Sequence, residues 1–237
     1  NPTKAELDGM NAYTLSNVIV IDLSSARDTS KWKNTSTYGS KEFGTTNWIF
    51  SSLDNFGGRP LMHGALQTVV DNIADAKKNA NHLVGIGMTP EGTQNNPVYY
   101  DLYWEMVWRN EAPDVDEWIL DYVFRRYGGT SDNVKHAWEK LLVSVYAYPN
   151  TNGTSGNYMI ISNKPRFDSY IGGYYEVQYD NGTLLQAIDD MMLEFDLFKD
   201  NECYIYDLVE MMQTYLYNKA QNYIKTIITM SGSPNIY

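Results

Sequence analysis

The chain has 237 residues, 43% of them hydrophobic and 20% charged, so it is long and apolar enough to bury a core. Its 29 acidic residues outnumber 18 basic ones, and the net charge of −11 argues against a nucleic-acid partner, which needs a clustered cationic face. No apolar run approaches ~18 residues, so no membrane span is expected, while the single Cys203 forbids an internal disulfide and three histidines predict neither metal nor cofactor.

Taken in chain order, Asn17 to Leu23 is a continuous β-branched run, which predicts a strand buried on both faces. Residues 24–46 read as a polar loop. Asn47 to Leu53 is a second buried-strand candidate that runs into Asp54-Asn55-Phe56-Gly57-Gly58, a glycine turn. His63 to Ala76 reads as a helix with Leu66, Val69, Val70 and Ile73 on one face. Leu83 to Met88 is a third strand, followed by Thr89-Pro90-Glu91-Gly92 and a helical pattern from Pro97 to Trp108. Such alternation belongs to α/β architecture, where functional residues sit just past strand C-termini.

Beyond Pro113 the pattern becomes all-helical. Asp114 to Tyr127 stops at Gly128-Gly129, and Ser131 to Tyr148 starts at an N-cap serine. Residues 149–182 read as a long loop, and two more helices cover roughly 183–199 and 202–230. The expected domains are therefore 1–112 and 113–237. Three parallel strands cannot close a barrel and would leave an edge and an apolar face bare. Further strands are expected from outside this chain, and its Asn1-Pro2 start reads as internal to something longer.

Glu91 is the foremost chemical candidate, a carboxylate in a tight turn after a strand. The same residue also fits a helix start, with Thr89 as cap and Pro90 at the first position. Asn55 and Phe56 either bind and stack on a polar ligand or belong to a capped turn. Asp22 reads as a structural carboxylate, the three histidines as structural, and Asp189 and Asp190 as solvent-facing. Cys203 reads as a buried small residue, and the tyrosine–tryptophan stripe from Tyr99 to Trp108 as core more than sugar platform. Asn34, Asn152 and Asn181 open Asn-x-Ser/Thr acceptors for N-glycosylation, which points to a lysosomal or secreted glycoprotein.

The run Gly85-Ile86-Gly87-Met88-Thr89-Pro90-Glu91-Gly92, followed by Asn95-Asn96-Pro97-Val98-Tyr99-Tyr100, resembles the alpha-N-acetylglucosaminidase family, glycoside hydrolase family 89. Trp108-Arg109, Trp118 and Arg125-Arg126-Tyr127-Gly128 extend the resemblance downstream. Trp48-Ile49, Leu53 to Gly58 and His63-Gly64-Ala65-Leu66 extend it upstream, so it covers about residues 15–148. It implies the last strands and helices of a (β/α)8 barrel followed by an incomplete all-helical domain.

The resemblance also implies a retaining exo-glycosidase that removes terminal α-linked N-acetylglucosamine from glycans such as heparan sulfate. Glu91 would be the nucleophile, and Leu23, Leu53, Asn55, Phe56 and Asn157 would line the sugar pocket. The acid/base glutamate would come from an N-terminal segment or chain of the same protein that carries the remaining strands. Two positions depart from the family pattern, where His is usual at Asp54 and a pocket His aligns with Asn157. They leave open a non-catalytic glycan-binding or structural glycoprotein that kept the fold. A homo-oligomer is left open too.

Overall fold

The computed structural model describes residues 3–14, 17–26, 31–33, 42–53, 62–90, 96–147, 177 and 179–230. In chain order these form α1 (Lys4–Thr14), β1 (Ile19–Asp22), a 3-10 turn (Lys31–Lys33), β2 (Asn47–Ser52), α2 (Leu66–Asn79), β3 (Leu83–Met88) and α3 (Pro97–Glu105). The helices α4 (Val115–Tyr127), α5 (Asp132–Leu142), α6 (Asn181–Leu193), α7 (Phe195–Phe198) and α8 (Glu202–Met230) follow. Two compact units emerge, one of Asn1–Phe56 with Leu66–Pro113, the other of Gly57–Ala65 with Asp114–Tyr237.

In the first unit β1, β2 and β3 form a parallel sheet in that order. Asp22, Phe50 and Ile86 align across one face, where Phe50 is fully buried and lies 6.4 Å from the Tyr103 ring of α3. Ile21, Ile49 and Gly85 align across the other. That face carries exposed Ile19 and Ile21, so β1 is not buried on both sides as its β-branched run predicted. The run predicts a strand correctly, but the described chain supplies helical cover to one face only.

The opposite rim of the sheet, where β2 and β3 begin, is fastened by Glu42. This residue is buried with φ at 60°, a left-handed conformation that costs a non-glycine residue about 1–3 kcal/mol. Its carboxylate accepts from Trp48 Nε1 at 3.1 Å, from Asn81 N at 2.7 Å and from His82 N at 2.8 Å. Burial alone would raise its pKa, but these donors outweigh burial and hold it below the ordinary value.

Several helix ends follow local chemistry. Thr3 and Glu6 form a reciprocal capping box: Thr3 N donates to Glu6 Oε2 at 2.6 Å and Glu6 N to Thr3 Oγ1 at 3.3 Å. Helix α2 starts at Leu66, not His63, because Gly64 with φ at 116° cannot continue a helix, and its predicted apolar face is buried. Asp114 caps α4, Gly128 ends it at φ 71°, and Ser131 caps α5. Helix α3 ends at Glu105 and α5 at Leu142, both short of the predicted limits.

The helical unit is built round a buried polar knot. Arg126 of α4 donates to both carboxylate oxygens of Asp207 on α8, at 2.6 and 2.8 Å. Tyr127 Oη donates to Asp207 at 2.9 Å and accepts from Trp138 Nε1 of α5 at 3.1 Å. The carboxylate therefore joins α8 to α4, and the Tyr127 hydroxyl carries the link on to α5. Burial pushes the Asp207 carboxyl up while Arg126 and Tyr127 oppose that shift; Asp207 in turn holds Arg126 above its ordinary value against its own burial. Asn201 joins two helix ends, donating to Tyr127 O at 3.0 Å and accepting from Tyr204 N at 2.9 Å. Two smaller expectations change here: Asp190 pairs with Lys140 instead of facing water, and Cys203 is half-buried.

Asp207→Ala leaves the Arg126 guanidinium buried without its partner, so chemical denaturation should show a loss of about 3–5 kcal/mol. A second measurement reads Glu210, a buried neighbour on α8 that accepts from Tyr206 Oη at 2.9 Å. Burial raises its pKa to about 6; the Tyr206 hydrogen bond opposes that rise, the Asp207 charge adds to it to a lesser degree, and Arg126 and His63 offset it slightly. The folded state then holds this proton more tightly than the unfolded chain, so stability declines as pH rises from 4.5 through about 6. Glu210→Gln should remove about 1 kcal/mol of that decline in denaturant titrations at acidic and neutral pH.

Candidate active site

Parallel pairing forces the carboxyl ends of all three strands onto one rim, and each end is held by backbone hydrogen bonds that continue past the sheet. Leu53 N donates to Leu23 O at 3.0 Å, Ser25 N to Ser51 O at 3.2 Å, and Thr89 N to Ser52 O at 3.0 Å. Leu23 and Leu53 are thereby brought together, Leu23 exposed and Leu53 half-buried. Both stand at the rim where apolar residues can face a ligand.

Asp22, at the end of β1, is a structural carboxylate. It is buried and accepts from Ser24 N at 3.0 Å and Trp32 N at 3.3 Å, which folds the chain after β1 back onto the sheet. On β3 two glycines keep the Ile49 face open. A Cβ at Gly87 would lie 3.2 Å from Ile49 Cγ2, whereas one at Gly85 would make ordinary contact at 3.6 Å.

Thr89 closes the β2–β3 joint. Its Oγ1 donates to Ser52 O at 3.3 Å and lies 3.4 Å from Ser51 Oγ. Ser52 Oγ in turn meets Tyr99 Oη at 2.8 Å, and Tyr103 Oη donates to Gly87 O at 2.7 Å. Tyr99 and Tyr103 are buried as the stripe predicted, whereas Trp104 and Trp108 are exposed and do not join the core.

Glu91, Asn55, Phe56 and Asn157 lie outside the described residues, as do the acceptors Asn34 and Asn152. In the sequence Glu91 follows Thr89 by two positions and Asn55 follows Leu53 by two. Asn181, the third acceptor, is the first residue of α6, and its Oδ1 accepts from Asn218 Nδ2 at 2.9 Å. Among the described residues no group of three or more His, Cys, Asp or Glu is placed to hold a metal ion, and no helix is long and apolar enough to cross a membrane.

A family model described as the alpha-N-acetylglucosaminidase tim-barrel domain matches residues 1–110, and one described as the alpha-N-acetylglucosaminidase C-terminal domain matches residues 118–234. The chain belongs to the alpha-N-acetylglucosaminidase family. Human alpha-N-acetylglucosaminidase is 40% identical over 101 residues, which are 42% of this chain and 14% of the human protein.

Among solved structures, a family 89 glycoside hydrolase from Clostridium perfringens in complex with PUGNAc superposes with a TM-score of 0.81 at 30% identity. That match covers 95% of this chain and 25% of the bacterial one. A form of the Clostridium perfringens protein with two Glu→Gln substitutions, in complex with its substrate GlcNAc-alpha-1,4-galactose, gives a TM-score of 0.73 at 29% identity, over 87% of this chain and 23% of that one. The chain thus spans about a quarter or less of the length of these relatives.

The supporting hydroxyls of Ser52, Tyr99 and Tyr103 were not singled out by sequence reasoning as parts of the site. The available signal was the four-residue spacing of Tyr99 and Tyr103, which puts both on one face of α3. Helix α1 was missed as well, although Thr3 and Glu6 spell its capping box.

Proposed function

We propose that this chain supplies the nucleophile half of a retaining exo-glycosidase that removes terminal α-linked N-acetylglucosamine, with Glu91 as nucleophile. The observation that carries the reading is the rim itself: three parallel strands end together, and in the sequence Glu91 comes three positions after Met88, the last residue of β3. A carboxylate at a strand's C-terminal end is where parallel α/β barrels place such chemistry.

Residues 1–112 form the C-terminal portion of a (β/α)8 barrel and residues 113–237 the start of an all-helical domain. The uncovered face of Ile19, Ile21 and Ile49 supports this, because in a closed barrel it is the face turned inward. The remaining strands and the acid/base glutamate belong to an N-terminal segment of the same protein. The two carboxyls then stand about 5–5.5 Å apart: Glu91 attacks the anomeric carbon while its partner protonates the leaving oxygen, then activates the water that releases the sugar. The two Glu→Gln substitutions in the bacterial substrate complex support a pair of glutamates.

Leu23, Leu53, Asn55, Phe56 and Asn157 line the pocket, apolar groups and a stacking ring meeting the sugar's carbon face and amides its hydroxyls. Heparan sulfate is the proposed glycan. The chain's net charge of −11 does not bar a sulfated chain, because an exo-acting site encloses one neutral terminal residue. Glycosylation at Asn34, Asn152 and Asn181 and a lysosomal or secreted location complete the reading.

In the full-length protein, Glu91→Gln should lower kcat on an aryl α-N-acetylglucosaminide by about 10³-fold or more with the unfolding temperature unchanged. Turnover at the normal rate would remove Glu91 from the mechanism.

A further inference from the structure

Two tyrosine hydroxyls hold the ends of β2 and β3. Tyr99 and Tyr103 stand one turn apart on α3, both buried, with ring centroids 6.1 Å apart. Tyr103 Oη reaches Gly87 O on β3 at 2.7 Å and Phe50 O on β2 at 3.4 Å, so one phenol spans the joint between the two strands. Tyr99 Oη shares a 2.8 Å hydrogen bond with Ser52 Oγ at the end of β2. Ser52 O also receives the Thr89 amide and hydroxyl, which ties the exit of β3 to that of β2. Gly87 precedes Glu91 by four positions and Ser52 precedes Asn55 by three.

Ring packing alone does not set this spacing. The Tyr103 ring lies against Phe50 and Trp104, contacts that are non-directional and survive small slides of helix against sheet. A hydrogen bond to a strand carbonyl is directional and short-ranged, so it holds one position. Burial and the nearby Asp22 charge push the Tyr103 phenol well above its ordinary pKa, which keeps it a neutral donor throughout the working pH range.

We propose that Tyr103, assisted by Tyr99, is a positioning residue for glycoside cleavage: its hydroxyl sets the distance between the β2 and β3 exits, which Asn55 and Glu91 follow in the sequence. The inference rests on the reading of Glu91 as nucleophile. Its strength comes from the steep dependence of rate on alignment, since a misplacement of about 1 Å can cost 10²-fold.

The test compares Tyr103→Phe and Glu91→Gln in the full-length protein, by steady-state kinetics on an aryl α-N-acetylglucosaminide and by thermal unfolding. Tyr103→Phe keeps the ring and should lower kcat by about 10-fold or more, with KM within about two-fold and the fraction of folded protein unchanged. A normal kcat, or a fall in activity that merely tracks loss of folded protein, overturns the inference. Should Tyr103→Phe fold poorly, Tyr99→Phe and Ser52→Ala remove the neighbouring bond and must show the same kcat-against-KM split. The double variant must fall no further than either single one, and additive losses overturn the inference. An inactive Glu91→Gln beside a fully active Tyr103→Phe removes the positioning role alone. An active Glu91→Gln removes the nucleophile assignment, and the positioning role with it.

Discussion

Parallel pairing is the constraint on which the first unit depends. Antiparallel strands would send successive chain exits to opposite rims, but β1, β2 and β3 all deliver theirs to one. The residues after Asp22, Ser52 and Met88 are distant in sequence and become neighbours only for this reason. Every functional statement about the rim follows from that geometry and from the bonds that extend it, Leu53 to Leu23 and Thr89 to Ser52.

The helical unit obeys a different rule. Its helices meet through apolar faces such as Trp138 and Leu141 of α5 and Leu184 and Met191 of α6, which bury area without choosing one orientation. The Arg126–Asp207–Tyr127 knot chooses it, because the carboxylate is satisfied only when α4 and α8 stand in one arrangement, and Trp138 of α5 is tied to that knot through the Tyr127 hydroxyl. Such a buried pair adds less to net stability than to the cost of any rearrangement that would break it.

Much of this was legible from residues alone, and the exceptions have physical causes. Caps spelled their helix ends, as at Asp114, Gly128 and Ser131, because those side chains act on their own backbone. The Leu66, Val69, Val70 and Ile73 stripe was equally plain. Burial of β1 was misread, since a β-branched run signals extended backbone while cover depends on what packs against it from elsewhere. The end of α3 at Glu105 was invisible too: Lys77, far off in sequence, collects the carbonyls of Met106, Val107 and Arg109 just beyond it. Of the candidate site, Glu91 is proposed from its Thr-Pro-Glu-Gly setting, whereas the hydroxyl bonds that join the β2 and β3 exits need three dimensions. Ser52 and Tyr99 are 47 positions apart, and no local pattern marks them as partners.

Glu42 has a consequence for how the protein can fail. It clamps the rim where strands begin, in a backbone conformation offset by its four acceptor contacts and by its amide bond to Trp32 O, and the side-chain bonds described for it all lie at that rim. Damage there subtracts from the number of native molecules and spares the chemistry of each survivor. A tight inhibitor of the native state would restore such molecules by mass action. It would do nothing for a lesion at the other end of the same strands, so inherited or engineered defects divide into a class that ligand binding repairs and a class that it cannot.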